Sequence, residues 1–117
     1  NPEHLAKIQK LFAHCAEKGI PILLHFRNDN PEFGKKDAEI LINEVIAKTP
    51  GLKLQMVHLG GYGGFDKATK EVISAFIEEY EKNKSLDKSS IVFDISGVVV
   101  TENEEIEGAL YSTTEEQ

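Results

Sequence analysis

Short apolar segments alternate along this chain with stretches in which apolar residues recur every three or four positions. The apolar segments, residues 20–26, 52–59 and 91–96, are typical of buried strands, and the first is apolar enough to predict burial on both faces. The stretches between them have the spacing of amphipathic helices. The order helix, strand, helix, strand, helix, strand predicts an α/β fold with parallel strands and right-handed crossovers.

Local signals set the bounds of the three helices. Asn1 can cap the first helix, Pro2 suits its first position and Gly19 ends it. The second helix is predicted at about residues 36–48, and Asp66 caps the third. The residues expected to face inward are Leu5, Ile8, Leu11, Phe12 and Cys15 in the first, Ala38, Leu41, Ile42, Val45 and Ile46 in the second, and Ala68, Val72, Ile73, Phe76 and Tyr80 in the third.

Two of the predicted strands carry a histidine near their carboxyl ends, His25 and His58. Because side chains alternate along a strand, His25 is expected to share a face with Leu23, and His58 with Leu54 and Met56. If the two strands are parallel neighbours, the two imidazoles can point to the same side of the sheet.

Further polar residues follow the strands. Asp94 and Ser96 share a face with Val92 in the third strand, so Asp94 is a candidate to orient a histidine or contact substrate, or to bond to a neighbouring loop. The loop after the first strand contains Arg27 and Asp29, which are candidates for ligand binding or for a surface ion pair.

A glycine-rich loop, residues 60–64, follows the second strand. It has neither the dinucleotide-binding fingerprint nor the Walker lysine pattern, so the sequence does not favour a phosphate site. Glycine at Gly60 and Gly61 instead indicates a sharp turn or a close approach of the backbone to a ligand.

Composition limits the kind of protein. The 117 residues fit one small domain, and 13 basic against 20 acidic residues give a net charge of -7, which argues against a nucleic-acid partner. The single cysteine, Cys15, allows neither an internal disulfide nor a thiolate zinc site and fits a reducing compartment. With no apolar run of about 20 residues and no signal-peptide pattern, we expect a soluble, cytoplasmic protein without a membrane partner.

The last twenty residues, 98–117, are less regular and rich in glutamate. The spacings from Ser112 to Glu115 and from Thr113 to Glu116 are those of a capping box, which predicts that a helix begins where the given sequence stops. We interpret the three strands as a segment of a larger barrel rather than as a complete open sheet.

The strand ends resemble those of one enzyme family. Ile-Leu-Leu-His at 22–25, Met-Val-His-Leu-Gly-Gly at 56–61 and Phe-Asp-Ile-Ser-Gly at 93–97 resemble strands five, six and seven of the amidohydrolase superfamily barrel. The closest likeness is to the metal-dependent branch that includes aminocarboxymuconate-semialdehyde decarboxylase. The resemblance covers essentially the whole chain and implies a single partial TIM (β/α)8 barrel domain over residues 1–117.

The resemblance also implies roles for individual residues. It makes His25 a ligand of a divalent metal, usually zinc, and His58 either a ligand of a second metal or the group that positions and deprotonates the attacking water. Neutral imidazole suits zinc, which lowers the pKa of water to about 7. The implied activity is hydrolysis or decarboxylation of a small molecule. The candidate catalytic residues are His58 and Asp94, and the candidate substrate-binding residues are Arg27, Gly60 and Gly61.

Two family features have no counterpart in this chain, the His-x-His of the first strand and the aspartate of the eighth. The chain alone is therefore expected to hold metal weakly and to lack activity, and its open sheet edges predict a homo-oligomer or a complementing barrel segment. Two other interpretations remain open. One is a fragment of a TatD-type deoxyribonuclease, and the other is an open-sheet binding or assembly module in which His25 and His58 are core residues.

Overall fold

The protein forms a three-stranded parallel sheet with helices between the strands. The computed structural model describes residues 1–26, 34–61 and 65–98. Short 3-10 turns follow the second strand, at Val57–Gly60, and precede the third, at Lys84–Lys88. The main elements are α1 (Pro2–Lys18), β1 (Ile22–Leu24), α2 (Gly34–Ile40, continued as a π-helix over Leu41–Ile46), β2 (Lys53–Met56), α3 (Lys67–Lys82) and β3 (Ser90–Phe93).

The sheet has the order β1-β2-β3, with both neighbouring pairs parallel. Its register aligns Leu23 with Gln55 and Gln55 with Val92. The mixed α/β class and the parallel arrangement predicted from the alternating pattern are confirmed. The strands are shorter than predicted, since β2 ends at Met56 where a tight turn begins.

Side chains of the sheet alternate between a packed face and an open face. Leu54 and Met56 are fully buried, whereas Leu23 and Val92 are 65% and 53% exposed. The prediction that the first strand is buried on both faces is therefore wrong, because the continuous apolar run of β1 does not reveal on which side the helices pack. Around the packed face lies the core, formed by Phe12, Ala38, Leu41, Ile42, Val45, Ile46, Leu52, Leu54, Met56, Val72, Ala75, Phe76 and Leu86.

The first helix has the predicted ends but only part of the predicted burial. The Asn1 side chain accepts a hydrogen bond from the Glu3 amide at 3.0 Å, and Gly19 ends the helix with a φ of 68°. Of its apolar residues Phe12 is buried, while Ile8 and Leu11 are exposed. The expectation of five inward-facing residues is wrong for these two, because α1 packs chiefly on the π-helical segment through a narrow strip.

The other two helices supply most of the core. All five residues predicted to face inward in the second helix are buried. In α3, Ala68, Val72 and Phe76 are buried as predicted, but Tyr80 is 54% exposed. The prediction for Tyr80 is therefore wrong, because the packed stripe of α3 ends one turn earlier.

Several predictions concern residues outside those that the structure describes. These are Arg27, Asp29, most of the glycine-rich loop and the capping-box sequence that begins at Ser112. Over the described ranges, none of the helices has the length and apolar content needed to cross a membrane. The compartment stays a prediction.

Candidate functional site

The two strand-end histidines contact each other. The ring centroids of His25 and His58 are 5.1 Å apart, and the rings meet edge to face at 83°. His25 lies just after β1 and His58 just after β2, at the same edge of the parallel sheet. The strands are parallel neighbours as predicted, and the two imidazoles lie side by side.

His58 reaches this position through a tight turn and not through strand alternation. Leu54 and Met56 face the helices, so the prediction that His58 shares their face is wrong. His58 and Leu59 have φ values of 54° and 53°, and Gly60 follows with 77°. Because a left-handed conformation costs non-glycine residues about 1–3 kcal/mol each, the surrounding structure must hold this turn in place.

Asp94, the first residue after β3, holds the turn. Its carbonyl oxygen accepts a hydrogen bond from the Leu59 amide at 2.9 Å, and its Oδ1 accepts one from the His58 amide at 3.2 Å. The Asp94 amide in turn donates to the carbonyl oxygen of Met56 at 3.0 Å. The end of the third strand thus fixes the backbone that carries the histidine of the second.

Gly60 and Gly61 are buried where the turn meets α3. A Cβ added at Gly60 would lie 2.7 Å from Cγ1 of Val72, and one added at Gly61 would overlap Oγ1 of Thr69. Glycine is required at both positions for close packing on the helix. This packing accounts for the two glycines, and their contact with substrate stays a prediction.

The Asp94 carboxylate is surrounded by hydrogen-bond donors. Oδ1 accepts from the hydroxyl of Ser96 and from its amide, the latter at 3.0 Å, and Oδ2 accepts from Nε2 of Gln55 at 2.9 Å. The hydrogen bonds from Ser96 and Gln55 hold the pKa of Asp94 well below its usual range. The carboxylate therefore accepts hydrogen bonds from the Ser96 loop, from Gln55 and from the backbone of His58. These contacts do not join it to the His58 ring.

The His58 ring contacts the loop that follows β3. Its Nδ1 lies 2.5 Å from the main-chain oxygen of Ser96 and 3.2 Å from the Ser96 hydroxyl oxygen. Ser96 shares a predicted strand face with Asp94, but neither Ser96 nor Gln55 was among the predicted site residues. Gln55 was detectable as a polar residue between Leu54 and Met56.

The two histidines are suited to hold a metal ion, but only as part of a ligand set. The 5.1 Å between their ring centroids shows that the two imidazoles are neighbours, and imidazole is a common zinc ligand. Over residues 1–26, 34–61 and 65–98, however, no group of three or more His, Cys, Asp or Glu side chains is placed to hold an ion. Two histidines are fewer than the three protein ligands of a catalytic zinc site, so a metal role for them stays a prediction.

Comparison with protein-family models, with curated proteins and with solved structures finds no match to this chain. The family resemblance therefore stays a prediction based on the strand-end motifs.

Proposed function

We propose that this chain is part of a metal-dependent amidohydrolase-type enzyme that hydrolyses or decarboxylates a small molecule. The three parallel strands would be consecutive strands of a (β/α)8 barrel. Two features support this assignment. The helices pack on one face of the sheet, as on the outside of a barrel, and the exposed face with Leu23 and Val92 would line the interior.

The observation that carries the proposal is the contact between His25 and His58 at the carboxyl edge of the sheet. Barrel enzymes of this type place their reacting groups at that edge. His25 would bind the metal, and His58 would bind a second ion or position the attacking water. A bound zinc ion supplies Lewis acidity, which makes water a nucleophile near neutral pH. The remaining ligands would come from a complementing part of the barrel.

Exposure of the histidines weighs against the interpretation as a non-enzymatic module. In that interpretation both imidazoles are ordinary core side chains. His25 is exposed and His58 is half-buried, so neither contributes to the apolar core.

Zinc titration of the 117-residue chain by calorimetry tests the proposal. We expect weak zinc binding that is lost in His25→Ala, because this variant removes the proposed metal ligand. His14→Ala is the matched control, since His14 is an exposed histidine on α1, and it should leave the binding unchanged. An absence of zinc binding, or binding that persists in His25→Ala, would contradict the proposal.

A further inference from the structure

We infer that the loop after β3 fixes His58 in a single tautomer, with the hydrogen on Nδ1 and the lone pair on Nε2. In this arrangement the main-chain oxygen of Ser96 accepts a hydrogen bond from Nδ1. Asp94 and Gln55 are positioning residues that hold the loop. The inference deepens and rests on the proposed function, since it names Nε2 as the atom with which His58 would act on a metal ion or on water.

The hydrogens at the contact can be assigned one by one. A carbonyl oxygen carries no hydrogen, so the 2.5 Å contact between the Ser96 main-chain oxygen and Nδ1 requires the hydrogen on Nδ1. The Ser96 hydroxyl has one hydrogen, which it donates to Asp94. At its 3.2 Å contact with Nδ1 the hydroxyl oxygen can therefore only accept. Both oxygens near Nδ1 are acceptors, and together they select the same tautomer.

The Asp94 carboxylate accepts most of its hydrogen bonds at Oδ1, from Ser96 and from the backbone of His58. A carboxylate has about four lone-pair positions. The four donors already present are the Ser96 amide, the Ser96 hydroxyl, the His58 amide and the Gln55 side chain. Three of these donors bond to Oδ1 and one bonds to Oδ2, so the carboxylate is held by the loop and by the backbone of His58, which makes Asp94 a positioning residue in this arrangement.

The same carboxylate holds His58 at two points. It accepts a hydrogen bond from the His58 amide. It also accepts one from the Ser96 amide, and so positions the Ser96 main-chain oxygen that accepts a hydrogen bond from the His58 ring. Gln55, in the middle of β2, anchors the other carboxylate oxygen. A histidine that binds a metal commonly donates its second ring hydrogen to a main-chain oxygen or a carboxylate, which fixes the ring orientation. The contacts of His58 have this form.

Nitrogen-15 NMR of the imidazole rings in the metal-free chain tests the inference. In a neutral imidazole the nitrogen that carries the hydrogen and the nitrogen that does not give distinct shifts. We expect His58 to show a protonated Nδ1 and an unprotonated Nε2. In Asp94→Asn and in Ser96→Ala we expect both shifts to move toward the average of two exchanging tautomers. Ser96→Thr keeps the hydroxyl and should retain the native shifts.

Matched controls separate the loop from general effects of substitution. Asp87→Asn and Ser74→Ala change exposed residues of the same types, and both should leave the His58 shifts unchanged. If Asp94→Asn does not fold, the Ser96→Ala and Ser96→Thr pair decides the matter. A wild-type His58 with its hydrogen on Nε2 would overturn the inference, as would native shifts in folded Ser96→Ala and Asp94→Asn.

The NMR result and the zinc titration can fail separately. Native-tautomer shifts without zinc binding would overturn the proposed function and leave the positioning role intact. Zinc binding that requires His25, together with a mixed tautomer of His58 in the wild type, would support the function and overturn the positioning role.

Discussion

The two faces of the sheet use the same strands in opposite ways. On the packed face Leu54 is 2% exposed, and its partners in register, Ile22 and Ile91, pack against the core. On the open face the aligned row is Leu23, Gln55 and Val92, which leaves two large apolar side chains exposed. Residues that follow each other along a strand thus lie on opposite faces, one in the core and the next at the surface.

The open face is also the one that leads to the candidate site. Gln55, at the centre of that face, donates to Asp94, whose hydrogen bonds reach the backbone of His58 and the Ser96 loop. We infer that the packed face provides most of the folding free energy, whereas the open face and the strand ends provide the chemistry. The predictions below test this division, from the largest expected effect to the smallest.

Matched leucine truncations give the largest expected difference between the faces. Leu54→Ala should lower the free energy of unfolding by about 2–5 kcal/mol, because it leaves a cavity in the core. Leu23→Ala removes the same atoms from a side chain that is largely exposed, and should change it by no more than about 0.5 kcal/mol. Urea unfolding of the three chains measures both values. Equal losses in the two variants would contradict a one-sided core.

Substitution of Gly60 tests the packing of the histidine-bearing turn on α3. In Gly60→Ala the new methyl group must displace the Val72 side chain, and the residue keeps a positive φ, so we expect a loss of about 1–3 kcal/mol in unfolding free energy. Gly19→Ala is the matched control, because Gly19 has a φ of 68° with open space around it. The decrease in unfolding free energy in Gly19→Ala measures the backbone strain alone. The further decrease in Gly60→Ala measures the clash with the Val72 side chain. No difference would show that Gly60 is required only for its conformation.

The sequence was sufficient to predict features that depend on local pattern. The order of the helices and strands, the Asn1 cap and the buried residues of the second helix follow from spacing and capping chemistry, and the structure has them. Parallel pairing placed His25 and His58 at the same edge of the sheet, but the turn that brings His58 against His25 was not predicted.

Features that depend on tertiary packing were not predictable in the same way. The left-handed turn at His58 exists because Asp94, 36 residues later in the chain, holds it with hydrogen bonds, and no local signal at His58 specifies that partner. The exposure of Leu11 and Leu23 depends on which side the neighbouring elements pack, and an apolar pattern does not contain this information. The roles of Gln55 and Ser96 likewise required the distances between strands.

Lowering the pH should reduce the contribution of Asp94 to the stability of the folded chain. Its pKa is lowered in the folded chain, so its contribution to stability is present above the unfolded value of about 3.9 and is lost as the pH falls below that value. We expect wild type to unfold at a higher urea concentration than Asp94→Asn at pH 7. The difference between the two urea midpoints, called the gap below, should narrow at pH 3. Asp87→Asn, the exposed control, should show no such gap. A gap that is the same at both pH values would contradict the lowered pKa.

A charge on the open face gives the smallest expected change in stability and the clearest test of self-association. Exposed apolar side chains favour association between copies, and Leu23 and Val92 lie on this face, one on each side of Gln55. Val92→Lys should change the unfolding free energy by no more than about 0.5 kcal/mol, while it lowers the average mass measured by light scattering. Ser74→Lys adds the same charge on the exposed side of α3, so it controls for the change in net charge and should leave the mass unaltered. A wild-type chain of monomer mass at the same concentration would contradict the predicted oligomer. An equal decrease in both variants would assign association to net charge and not to the open face of the sheet.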